Sequence, residues 1–165
     1  MRHQALRVNG ASLHIAELGE GAPLLLFHGW PEFWLTWEPV MLRLSKQYRL
    51  IAPDLRGFGD SDKPSGPFGP ADHAADMLAL LDALGIRRAG IVGHDVGGAA
   101  MQPLARKAPE RVAGLFFSTS FIRELGRGWA RSPILVLTRG YVPRARARAL
   151  EKKFRPAQPG ETRVR

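Results

Sequence analysis

The chain has 165 residues, no cysteine and a formal net charge of +9, and 45% of its residues are hydrophobic. This length suits one globular domain, and the lack of cysteine excludes a disulfide framework and a thiolate metal site. Because there is no run of 18 apolar residues and no apolar signal segment after Met1, we expect a soluble, cytoplasmic protein with no membrane partner.

The positive charge is concentrated in the C-terminal part of the chain. Residues 1–123 carry 13 Lys/Arg and 12 Asp/Glu, whereas residues 124–165 carry 11 and 3. The net charge is therefore +1 in the first part and +8 in the second. The sequence predicts a nearly neutral domain followed by a basic tail, rather than a basic domain.

The first 27 residues predict three strands. Leu6–Val8 and Leu13–Ala16 alternate with polar neighbours on either side of Asn9-Gly10, a pair that favours a tight hairpin turn. The continuous apolar run 23–27 is typical of a strand covered on both faces.

A helix and a strand are predicted next, followed by a glycine-containing loop. Apolar spacing indicates a helix over 33–46, and Tyr48–Ala52 reads as a strand. The loop at 54–64 contains Gly-x-Gly, which in other proteins cradles phosphate. Asp60 and Asp62 would repel a phosphate and no Gly-Lys-Ser/Thr follows, so we expect a plain turn.

Strands and helices continue to alternate up to residue 117. A helix is predicted from Pro70 to just before Gly85, then the strand 89–92, a further helix, and the strand 112–117. This alternation predicts βαβ units in a largely parallel sheet flanked by helices, an α/β fold.

The strand 89–92 runs directly into Gly93-His94-Asp95-Val96-Gly97-Gly98. A strand that ends in Gly-x-nucleophile-x-Gly and turns at once into a helix is a nucleophile elbow. The central residue is Asp95, and a carboxylate is suited to attack at saturated carbon, which gives an alkyl ester that water can split. Alternatively, Asp95 simply caps the following helix.

Three motifs together give the chain a family resemblance. They are His28-Gly29-Trp30-Pro31-Glu32, the segment 53–64 (PDLRGFGDSDKP) and the elbow 93–98. In order and spacing, residues from about 5 to 122 resemble the N-terminal half of an α/β-hydrolase of the epoxide hydrolase and haloalkane dehalogenase group. The first two motifs look more like those of epoxide hydrolases.

The resemblance implies roles for three residues. Asp95 matches the nucleophile, and the backbone N–H groups of Trp30 and Val96 match the oxyanion hole. It implies an epoxide hydrolase activity on a small apolar epoxide, with no cofactor and no metal. A haloalkane or haloacid dehalogenase that uses the same chemistry on a halide-bearing substrate is the alternative. We expect His28 and His94 to make structural hydrogen bonds, and the five histidines show no metal-ligand spacing.

The chain departs from the family in its second half. Members use a His and an acid that follow the nucleophile, but the last His here is His94. We therefore expect residues 1–122 to be the N-terminal part of an α/β-hydrolase domain that lacks the cap and last strands, incomplete and inactive. The Arg/Pro/Gly-rich segment 123–165 is expected to be a poorly ordered tail with the composition of a frameshift product, although 132–137 resembles a strand.

Two expectations about partners follow from the same features. A non-catalytic protein that binds polyanions through the tail is an alternative function, but the tail has few interleaved aromatic residues and we expect no nucleic-acid partner. Without further strands, the apolar segment 115–117 would lie on or near an exposed sheet edge. Such edges promote aggregation, so we expect self-association through this edge.

Overall fold

The computed structural model describes residues 1–118 and 135–138, with only the backbone described at 118 and 135–138. In this part of the chain, seven strands form one sheet: β1 (Arg2–Val8), β2 (Ala11–Leu18), β3 (Ala22–Phe27), β4 (Tyr48–Pro53), β5 (Ala89–His94), β6 (Val112–Ser118) and β7 (Leu135–Thr138). Three α-helices accompany them: α1 (Glu38–Leu44), α2 (Pro70–Ala83) and α3 (Asp95–Lys107). No helix among the described residues is both long and apolar enough to span a membrane.

The strands are arranged in the order β1-β2-β4-β3-β5-β6-β7. β1 and β2 form the predicted hairpin, in which Val8 pairs with Ala11 and the two turn residues, Asn9 and Gly10, have φ of 47° and 79°. Positive φ at both turn positions is the type I′ geometry that Asn-Gly favours. From β4 to β7 all neighbouring pairs are parallel, which confirms the mostly parallel sheet.

Helices cover both faces of the sheet. Leu25 and Phe27 of β3 pack in one hydrophobic cluster with α2 and α3, whereas Leu26 packs in a second cluster with Trp37 and Met41. Alternate residues of β3 thus face opposite layers. The continuous apolar run is explained, as predicted, by burial on both sides.

The helix predicted over 33–46 is wrong in its extent. The structure has a 3-10 helix at Trp34–Trp37, then α1, which ends at Leu44. Pro39 lies in the first turn of α1 and has no N–H to donate to a carbonyl four residues earlier. A single α-helical hydrogen-bond ladder therefore cannot run through this segment.

The C-terminal side of the sheet is longer than β6 alone. β7 pairs in parallel with β6, with Gly114 opposite Leu135 and Phe117 opposite Thr138. The segment 115–117 therefore lies beside another strand, and β7 is the last strand in the described order. The rest of the predicted tail lies outside the described residues.

Candidate active site

A sharp turn joins β5 to α3 at Asp95. His94 is still extended, with φ of −141°, and Asp95 has φ of 50° as the first residue of the helix. A non-glycine residue in this left-handed region is strained by about 1–3 kcal/mol. The turn has the backbone conformation of the predicted elbow.

Small residues allow strand and helix to pass close together at this turn. A Cβ atom at Gly97 would lie 2.5 Å from the carbonyl oxygen of Phe27, and one at Gly93 would lie 2.6 Å from the sulfur of Met101. Both distances are shorter than any real contact of a Cβ atom. At Gly97 the clash is with the backbone, so only glycine fits there, whereas a larger residue at Gly93 would have to displace the Met101 side chain.

Two backbone N–H groups hold the carboxylate of Asp95. The N–H of Trp30 donates to Asp95 Oδ1 at 2.9 Å, and the N–H of Val96 also bonds to this carboxylate. These two bonds, that from Trp30 first, hold the pKa of Asp95 below its ordinary value. The structure thus brings together all three residues singled out from the sequence, with the Asp95 side chain exposed.

The alternative in which Asp95 merely caps α3 is wrong. His94 occupies the N-cap position, and no side-chain capping bond is made there. Besides its bond to the N–H of Val96 in the first turn, the Asp95 carboxylate reaches across to the N–H of Trp30 in the loop after β3. Its position therefore depends on two neighbouring parallel strands, β3 and β5, whose carboxyl ends meet at this edge.

His28 is a structural residue, as expected. It is fully buried, its Nδ1 lies 2.8 Å from the carbonyl oxygen of Gly29, and its Nε2 accepts the N–H of Leu55 at 2.9 Å. With Nε2 accepting, the proton of the neutral ring is on Nδ1. Burial, which outweighs the hydrogen bond to Gly29, lowers the pKa of His28, so the ring stays neutral and holds the loop after β3 to the loop after β4.

A carboxylate that was not singled out from the sequence connects the two halves of the site. Glu32 Oε2 lies 2.6 Å from His94 Nε2 and accepts the N–H of Gly29 at 3.1 Å. Gly29 precedes Trp30, and His94 precedes Asp95. Glu32 therefore holds Gly29 and His94 in a fixed relative position, and with them the neighbouring Trp30 and Asp95. The contact also confirms a structural hydrogen bond for His94.

The loop at 54–64 is a turn held by side-chain hydrogen bonds. The buried carboxylate of Asp54 accepts the N–H of Trp34 at 2.7 Å and that of Asp60 at 2.9 Å. Arg56 Nε donates to Asp76 of α2 at 2.8 Å. The loop is thus tied to the segment after β3 and to α2, which keeps the ends of β3 and β4 in place beside the site.

Sequence reasoning missed Glu32, Asp54 and Asp76 as supports of the site. Each makes its decisive contact with a residue 20 or more positions away: Glu32 with His94, Asp54 with Trp34, and Asp76 with Arg56 and Asn9. No local spacing reports such a contact. The available signal was the presence of Glu32 and Asp54 inside the two motifs that carry the resemblance.

Comparison with known proteins agrees with this architecture. The family model described as alpha/beta hydrolase fold matches residues 22–136. The chain is 41% identical over 127 residues to Epoxide hydrolase 2 of Siraitia grosvenorii, covering 74% of this chain and 40% of the relative. It is 42% identical over 114 residues to the soluble epoxide hydrolase of Corynebacterium sp. (strain C12), covering 69% of this chain and 40% of the relative.

Solved structures give the same result. Epoxide hydrolase CorEH matches with a TM-score of 0.70 and 37% identity, covering 76% of this chain and 45% of that one. Epoxide hydrolase VrEH1 from Vigna radiata matches with a TM-score of 0.72 and 34% identity, covering 77% and 41%. The chain thus spans about two fifths of the length of the curated relatives it matches. Because the family model covers more than half of it, this chain belongs to the alpha/beta hydrolase fold family.

Proposed function

We propose that this chain carries the nucleophile half of an epoxide hydrolase-like active site, with Asp95 as the nucleophile. One observation carries the proposal. At a strained strand-to-helix turn, the exposed Asp95 carboxylate is held by the N–H groups of Trp30 and Val96. The epoxide hydrolases among the similar proteins support the choice of substrate class.

The two carboxylate oxygens of Asp95 have different roles in the proposed reaction. Oδ1 accepts the N–H of Trp30, which leaves Oδ2 to attack a saturated carbon of the epoxide. The C–O bond of the ring breaks, its oxygen takes a proton from water, and Asp95 becomes an alkyl ester with Oδ1 as the carbonyl oxygen.

The same two N–H groups then serve the second step. When water attacks the ester carbon, negative charge develops on Oδ1, to which the N–H of Trp30 donates, and the N–H of Val96 bonds to the same carboxyl group. Loss of one such donor typically costs about 10²–10³ in rate. The water needs a base, however, and no His follows His94 in this chain. We therefore propose that this chain alone forms the ester and does not turn over.

A dehalogenase is the second candidate. Opening an epoxide is helped by a proton donor, yet the only tyrosines are Tyr48 and Tyr141. Tyr48 begins β4, whereas the carboxylate lies at the carboxyl ends of the parallel strands. Displacement of a halide by Asp95 needs no proton donor, because the leaving group departs as a stable anion.

Intact-protein mass spectrometry separates these candidates. The chain is incubated with a small terminal epoxide or a primary haloalkane, and Asp95→Asn, which removes the charged nucleophile, is treated in parallel. An epoxide hydrolase-like site adds the whole epoxide mass to the unaltered chain only. A dehalogenase-like site adds the alkyl group and releases one halide. If the two proteins react equally or neither reacts, the nucleophile assignment is wrong and a non-catalytic role is favoured.

A further inference from the structure

Two histidines, His3 and His14, lie side by side on one face of the β1–β2 hairpin. In the register, His14 is opposite Ala5, so His3 is its diagonal neighbour across the pair. His3 Nδ1 lies 3.1 Å from His14 Nε2, and the ring planes differ by 14°. The hairpin thus brings together two imidazole nitrogens from residues 11 positions apart.

A buried carboxylate orients one of these rings. His14 Nδ1 lies 2.9 Å from Oδ2 of Asp54, which is fully buried. Because both oxygens of Asp54 already accept backbone N–H groups, this carboxylate accepts from His14 Nδ1. The proton of the neutral ring is therefore on Nδ1, and the Nε2 lone pair faces His3. A carboxylate behind a histidine in this way is the usual support of a metal-binding imidazole.

We infer that His3 and His14 form a two-imidazole site for a divalent transition-metal ion of the Zn²⁺, Ni²⁺ or Cu²⁺ class. With metal–nitrogen bonds of about 2.0–2.1 Å, nitrogens 3.1 Å apart subtend about 100° at the ion. This angle lies between the octahedral and tetrahedral values. The bound ion would lie to one side of the line that joins the two nitrogens. The exposed His3 ring would rotate so that its Nδ1 points at the ion.

The charged groups around His3 and His14 favour binding of a divalent cation over a proton shared between the two rings. A carboxylate oxygen of Asp60 lies within 4.8 Å of a ring nitrogen of His14, and Asp60 is exposed. Its negative charge attracts a cation, while Asp54, with its oxygens occupied, acts only behind His14. Imidazole nitrogen is a ligand that Zn²⁺, Ni²⁺ and Cu²⁺ all accept.

The other histidines do not compete for the ion. His28 uses both ring nitrogens inside the protein, and His94 Nε2 faces Glu32. His73 is buried beside the rings of Phe58 and Phe68. The site was not visible from sequence spacing because its two ligands come from different strands and meet only through the hairpin register.

Calorimetric titration of the full, untagged chain with Zn²⁺ tests the inference. We expect saturable binding of one ion per chain. His3→Gln and His14→Gln should each weaken it by at least about tenfold, the scale on which supporting residues alone affect metal affinity. Arg7→Gln, on the same face of β1 as His3, is the matched control and should bind normally. Absence of saturable Zn²⁺ binding, or normal binding by His3→Gln, would overturn the site.

Two further measurements keep the test decisive. Because an α-amino group and His3 alone can chelate Cu²⁺ or Ni²⁺, a form extended by Gly-Ser before Met1 is titrated as well. Unchanged affinity supports the imidazole pair, whereas loss of binding contradicts it. Trp34, whose ring lies 4.8 Å from that of His3, provides the second readout. Saturable quenching of tryptophan fluorescence by Cu²⁺ should be lost in His3→Gln. This variant alters an exposed residue and keeps the contact between His14 and Asp54, so it should fold normally.

Discussion

At the scale of single residues, Asp95 combines a strained backbone with an ordinary side chain. Its left-handed conformation costs about 1–3 kcal/mol, and the close packing made possible by Gly93 and Gly97 offsets that cost. In return, the carboxylate reaches the N–H of Trp30 in the loop after β3. Because the N–H groups of Trp30 and Val96 lower its pKa, Asp95 is ionised at neutral pH and needs no base before it attacks.

Gly29 is the residue whose substitution tests this arrangement with the smallest change. A Cβ atom at Gly29 would lie 2.9 Å from Asp95 Cβ and 3.0 Å from the His94 ring. Gly29→Ala should push the Trp30 donor away from the carboxylate. We expect ester formation to slow by about 10²-fold, the lower end of the cost of one lost oxyanion donor, and stability to fall by about 1–3 kcal/mol.

The rate of adduct formation, followed by mass spectrometry, measures this effect. Gly69→Ala is the matched control, because a Cβ atom there meets nothing within 4 Å. It should react at the unaltered rate. Equal rates for Gly29→Ala and the control would show that the position of the loop after β3 does not govern the reactivity of Asp95.

At the scale of elements, charged groups tie the loops of the site together. The Glu32–His94 bridge connects the ends of β3 and β5, and the Arg56–Asp76 ion pair connects the loop after β4 to α2. Asp76 is fully buried, with Asn9 as its second partner. Breaking a buried pair by removing one partner leaves an uncompensated charge and is strongly destabilising.

Arg56→Met should therefore destabilise the fold by about 3–5 kcal/mol. Replacing both partners, with Arg56→Met and Asp76→Leu, should recover most of that loss because no buried charge remains. Urea unfolding of the single and double variants measures both effects, with Arg43→Met on the exposed side of α1 as control. A double variant no more stable than Arg56→Met would contradict this role for the buried charge.

At the scale of the whole molecule, helices cover both faces of the sheet, and β7 extends the sheet beyond β6. Self-association through that end of the sheet stays a prediction, as does the role of the basic residues after 123. Inside the fold, two neutral histidines are buried. His28 is satisfied by hydrogen bonds, whereas Nδ1 of His73 has no partner.

These two histidines should make stability depend on pH near neutrality. Burial lowers the pKa of both His28 and His73, so the unfolded chain binds more protons than the folded one below the ordinary value of 6.5. The stabilisation is complete above pH 6.5 and is lost as the pH falls towards the lowered values. The slope reaches at most about 2.7 kcal/mol per pH unit for two protons.

Urea unfolding between pH 7.5 and 5.5 measures this slope. His73→Leu should reduce the slope by about half, because one of two protons is no longer taken up on unfolding. The exposed His3→Gln serves as the control and should leave the contribution of the buried pair intact. A slope unchanged in His73→Leu would show that the buried rings do not set the pH dependence.

Local sequence predicted the features whose causes are local. Asn9-Gly10 predicted the hairpin, the run 23–27 predicted a doubly covered strand, and the glycines around Asp95 predicted a close passage of strand and helix at that turn. The 3-10 helix at 34–37 was missed because apolar spacing does not report how Pro39 interrupts the hydrogen-bond ladder. The Glu32–His94 contact was missed because the alignment of β3 with β5 creates it, and no residue pattern along the chain encodes that alignment.

Locating the covalent adduct tests most directly whether Asp95 is the nucleophile. After reaction with the epoxide or haloalkane, the chain is digested and the peptides that span the elbow are sequenced by tandem mass spectrometry. We predict a single modification on Asp95, stable to prolonged incubation because no histidine follows it in this chain. Modification spread over exposed carboxylates such as Asp60, at equal rates, would contradict a privileged nucleophile at the elbow.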